Sequence, residues 1–136
     1  MKSIFVSVLS TFLMIALKSH AHGEDKAGPH GGFVRMPGAF HTEVVAEKNG
    51  YRVFLLDINW KNPSVLDSKL TAFIQNGPKK SNLKCTKESD SFFCQSKLPQ
   101  KGVLNVLAER EGQKGSTANY PLPLKLEPQP SEHSNH

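Results

Sequence analysis

Cysteine is scarce in this chain, with two in 136 residues, and so are tryptophan (one) and tyrosine (two). The two cysteines, Cys85 and Cys94, lie too far apart for the tight Cys-x-x-Cys spacing of a redox couple or a thiolate metal pair. Trp60, Tyr51 and Tyr120 are too few, phenylalanine aside, to build the broad flat face on which a polysaccharide-cleaving copper enzyme seats its substrate. A phosphate-cradling loop, a dinucleotide fingerprint, a nucleophile elbow and a paired-carboxylate arrangement are all missing. These absences predict a protein that is not an enzyme. No apolar run reaches the ~20 residues that a spanning helix needs.

A shorter apolar run is present. Met1-Lys2, the stretch from Ile4 to Leu17 and Ser19-His20-Ala21 reproduce the charged start, apolar centre and small-x-small end of a signal peptide. Cleavage after residue 21 leaves 115 residues, one domain with a single core. It predicts a periplasmic or secreted protein with no stable membrane insertion. Lys2 and Lys18 depart with the leader, so the formal charge falls from +5 to +3. That value gives no argument for nucleic acid. The remaining lysines are scattered without interleaved aromatics, as on solvated loops and strand edges.

Residues 22–32, rich in Gly and His, predict a flexible arm, and the β-rich pattern of 33–126 a single domain. Phe40, Thr42, Val44 and Ala46 alternate with His41, Glu43, Val45 and Glu47, a strand whose one face is mostly apolar. Asn49-Gly50 is a hairpin turn signal leading into a dense strand from Tyr51 to Ile58. Further strands are expected at 70–75, 82–86, 91–96, 103–109 and 120–126, the last an edge because Pro121 and Pro123 cannot donate to a ladder. Seven or eight short strands at this spacing predict an all-β chain folded as a β-sandwich. A turn at Ser89-Asp90 would set Cys85 opposite Cys94, so a disulfide is expected in an oxidising compartment. Residues 127–136, with His133 and His136, read as a disordered polar tail.

The chemistry-bearing residues gather behind the leader. His41 and Glu43 project to the same side of a strand, roughly 6.6 Å apart along it. Gly31-Gly32 would let His30 fold back toward them. Imidazole with carboxylate suits copper first and zinc second, and Met36 could add a thioether for Cu(I). Were His22 the new amino terminus, its amine and imidazole would form a further chelate, with Asp25 as an extra donor. The plainer alternative reads the same residues as a turn and a solvent-facing strand edge, in a structural or interaction module of the envelope with Trp60 as a first contact.

The string Gly28-Pro29-His30-Gly31-Gly32, Gly38, His41-Thr42-Glu43, Leu55-Leu56-Asp57 resembles a family of small bacterial envelope domains associated with heavy-metal efflux. About a quarter of the chain carries the likeness; the cysteine pair and the long polar tail depart from it. The resemblance implies an Ig-like sandwich and a carrier or accessory role in metal handling, with a metal-efflux or other envelope protein as partner.

Overall fold

Ten short strands and no helix make up residues 27–124, the part of the chain that the computed structural model describes. In chain order they are β1 (Phe33–Arg35), β2 (His41–Glu47), β3 (Gly50–Leu56), β4 (Lys69–Asn76) and β5 (Lys79–Asn82). After these come β6 (Lys84–Lys87), β7 (Phe92–Gln95), β8 (Gly102–Arg110), β9 (Gln113–Lys114) and β10 (Ala118–Leu122). They form two antiparallel sheets, one in the order β1-β2-β3-β7-β6 and the other β10-β8-β4-β5, with β9 appended to β8. This arrangement is a β-sandwich. Three of the ten fall outside the expected strands: β1 and β9 are too short to show alternation, and β5 is wholly polar. The expected leader and tail, with His22, Asp25, His133 and His136, lie outside the described residues.

The hairpin after β2 forms, one residue earlier than the Asn49-Gly50 signal: Lys48-Asn49 is the turn, with Glu47 opposite Gly50. β10, which contains Pro121, is an edge of its sheet. Cys85 faces Cys94 across β6 and β7, and the two are joined in a disulfide. Between the sheets, Phe40, Val44, Val53 and Leu55 pack against Ile74, Leu104, Val106 and Tyr120. Each such side chain contributes about 1.5–3 kcal/mol by leaving water. The Tyr120 hydroxyl donates to the carbonyl of Thr42 at 2.9 Å and also bonds the Thr42 hydroxyl, tying the edge strand of one sheet to β2 of the other.

The outer face of the first sheet departs from the expected pattern. His41 and Glu43 point away from the inter-sheet core, yet they are buried, as are their cross-strand partners Leu56 and Phe54 and the neighbour Val34. The alternation correctly separated the two faces. It could not reveal that loops fold back over the polar one and close a second, smaller packed layer there.

Candidate functional site

The Gly28–Gly32 segment, at the end of the expected 22–32 arm, is a closed turn. The amide of Gly28 donates to the carbonyl of Gly32 at 2.8 Å, that of Gly31 to Gly28 at 2.9 Å, and Ala27 bridges Phe33. The glycines serve two needs. Gly31 has φ +76°, which side chains disfavour, while a Cβ on Gly32 would fall 2.5 Å from the carbonyl oxygen of Val44. Gly28 has the same lack of room, pressed against the Glu43 carboxylate and Val34.

Glu43 holds this turn in place. Its carboxylate is fully buried; Oε2 accepts the backbone N–H of His30 at 2.8 Å and that of Gly32 at 2.9 Å. Its Oε1 accepts the ring N–H of His30 Nδ1 at 2.7 Å. Three donors therefore converge on one anion, the condition under which a buried carboxylate is tolerated. The His30 ring stacks flat on Phe54, with centroids 3.6 Å apart and planes 1° from parallel. Nε2 of His30 faces away from this bond and has no hydrogen-bond partner among the described residues.

His41 closes a second loop. Asp57 lies opposite the start of β2, at the end of β3, and its carbonyl accepts from His41 Nδ1 at 3.0 Å. The indole N–H of Trp60 donates to His41 Nε2 at 3.1 Å. A carbonyl can only accept and an indole can only donate, so the ring is the neutral Nδ1–H tautomer with both nitrogens engaged. The Asp57 side chain caps the same loop, accepting from the amides of Asn59 (2.8 Å) and Lys61 (2.9 Å) and the side chain of Asn62 (2.8 Å). The Lys61 amide foremost, helped by Asn62 and Asn59, holds its carboxyl below the usual carboxylate range. Trp60 and Asn62 adopt positive φ, 62° and 53°, so the loop's path is set by these bonds rather than by backbone preference.

Arg110 went unnoticed in the sequence. Its side chain is buried and donates from Nε to the carbonyl of Leu55 (3.2 Å) and from a terminal nitrogen to that of Asn62 (2.7 Å), bracing the loop from the other sheet. No periodicity marks such a residue, because its partners are backbone atoms of a distant segment.

Of the four expected ligands, three are described; His22 lies outside the described residues. His30, His41 and Glu43 do line one face, but both nitrogens of His41 and both oxygens of Glu43 are occupied, and only His30 keeps a nitrogen without a partner. Among the described residues no three His, Cys, Asp or Glu side chains are grouped closely enough to hold a metal. Met36 is exposed. No family model matches the chain, and no curated protein or solved structure was found to be similar to it.

Proposed function

We propose that the protein is a non-enzymatic, exported β-sandwich module of the cell envelope, Ig-like in type, that works through its surfaces. The observation that carries this reading is the commitment of the Glu43 carboxylate and the His41 ring to closing loops on the outer face of the first sheet. These groups brace the surface, and breaking them to ligate an ion would cost the bonds that hold residues 28–32 and 57–62 down.

One observation favours a second reading, the metal carrier or efflux accessory. A carboxylate holding one imidazole nitrogen while the other stays free is the usual support of a metal-ligating histidine. On that reading His30 is the ligand, Glu43 orients it, His41 is excluded, and the remaining donors come from His22 and its neighbours, copper first and zinc second.

Calorimetric titration of the purified protein with Cu(II) and Zn(II) separates the two. Absence of saturable stoichiometric binding is the expected result. One-to-one binding abolished by His30→Ala would overturn the module reading in favour of the carrier.

A further inference from the structure

Charge is balanced at one end of the sandwich and one-signed at the other. Asp57 follows β3, Asp67 precedes β4, and Glu109 and Glu111 close β8, so four carboxylates share the end bearing the braced loop, mixed there with Lys61, Lys69, Arg110 and Lys114. The other end differs. Lys48 sits in the β2–β3 turn, Lys79 and Lys80 open β5, Lys84 opens β6, and Lys97 and Lys101 lie on the link from β7 to β8; all six are exposed.

Register places these residues at one end of the sandwich in two groups. Gln95 pairs with Lys84 and lines one shallow depression with Lys48 and Lys97. Asn76 pairs with Lys79 and presses against Gly102, the residue after Lys101. The edge is continuous as well. β5 is the last strand of one sheet and β6 of the other, and only Leu83 separates them, its amide donating to Ala72 at 2.9 Å. The run Lys79-Lys80-Ser81-Asn82-Leu83-Lys84 therefore passes from sheet to sheet along one open rim.

This rim lacks counter-charge. Glu47 is the carboxylate nearest the β2–β3 turn, and Arg52 holds it at 2.8 Å and also takes Glu88. None of the six lysines forms an ion pair with a described residue. The ammonium groups are spread over an open edge, without arginine forks or a closed pocket to enclose a single anion. Such a layout suits a surface of many mobile charges better than one bound phosphate or a folded acidic partner.

We propose that this lysine rim is the contact by which the protein rests on an anionic phospholipid surface. The inference rests on the envelope-module reading, which places a membrane within reach, and it names the partner of that module. Attraction of this kind weakens about fivefold for each lysine removed and fades as salt shortens the screening distance.

Vesicle flotation, with chelator present to remove metal, tests it. The purified protein should float with phosphatidylglycerol-rich vesicles, stay behind with phosphatidylcholine alone, and detach as salt is raised. The Lys79→Gln/Lys84→Gln/Lys97→Gln variant should bind on the order of a hundredfold more weakly. This set spares Lys80, which packs over Phe73. A Lys61→Gln/Lys69→Gln/Lys114→Gln variant, losing the same charge elsewhere, should bind nearly as well as the parent. Equal weakening by both variants, equal binding to neutral vesicles, or no flotation would overturn the proposal. So would a rim variant that instead self-associates, since the lysines would then be guarding an open strand edge. Failure here leaves the module reading standing, whereas stoichiometric metal binding in the calorimeter would remove that reading without bearing on flotation.

Discussion

His41 accepts the indole N–H of Trp60 while donating to the carbonyl of Asp57, so a single imidazole fastens both sides of the loop after β3. The relationship makes His41 a clamp of that loop. It also makes Trp60, half-buried and tilted against the imidazole at 5.4 Å, an anchor of that loop.

Replacing His41 with Ala should therefore destabilise the fold by about 1–3 kcal/mol, since the Trp60 N–H and the Asp57 carbonyl lose a partner. Trp60→Phe, which removes the donor and part of the ring but leaves the His41–Asp57 bond, should cost less. Urea unfolding of both variants checks the order. Unchanged stability of His41→Ala would show that the clamp does not hold.

Glu43 should be the more demanding position. Glu43→Ala takes the acceptor from the buried Gly32 N–H, the part-buried His30 N–H and the His30 ring, at a cost of about 2–3 kcal/mol. Glu43→Gln keeps the shape and an acceptor for the two backbone amides but removes the charge, and should recover only part of that. Amide exchange at His30 and Gly32 should accelerate in both variants, which a purely metal-ligating role would not produce in metal-free buffer.

Asp57 supplies a pH dependence. Its folded carboxyl titrates below the unfolded value, so the proton binds the unfolded chain more readily. The stabilisation is fully present above the ordinary Asp range near ~4 and is lost as pH falls through the lower folded value. Acid titration followed through Trp60 fluorescence should report the 57–62 loop loosening in that window. Asp57→Asn should remove that dependence.

The Cys85–Cys94 disulfide closes a short loop, and its removal in a Cys85→Ser/Cys94→Ser variant should cost about 2–3 kcal/mol. β6 is a free edge carrying Lys84, so the loss should show first as faster exchange along β6. Denaturation with and without reductant measures the effect on the parent.

Much of the sandwich was readable because its signals are local. Alternation in 40–47 separated the two faces of β2, Asn49-Gly50 marked a hairpin to within one residue, and Pro121 marked β10 as an edge; each depends on residues within a few positions of one another. The facing of Cys85 and Cys94 followed from counting across a tight turn. The site was legible only in its membership. His30, His41 and Glu43 do share one face, yet spacing carries no information about which of their atoms remain free.

Composition and period thus determined an all-β chain, its turns and the side of β2 on which the polar residues stand. Tertiary structure decided what those residues do. The Gly28–Gly32 turn brings two backbone amides and an imidazole onto Glu43 from eleven and thirteen residues away. Trp60 reaches His41 across nineteen, and Arg110 reaches Leu55 across fifty-five. A buried polar atom takes whatever partner the folded backbone presents, because leaving it unpaired costs more than the bond itself contributes. Those partners are set by loop paths through space, which no local pattern encodes.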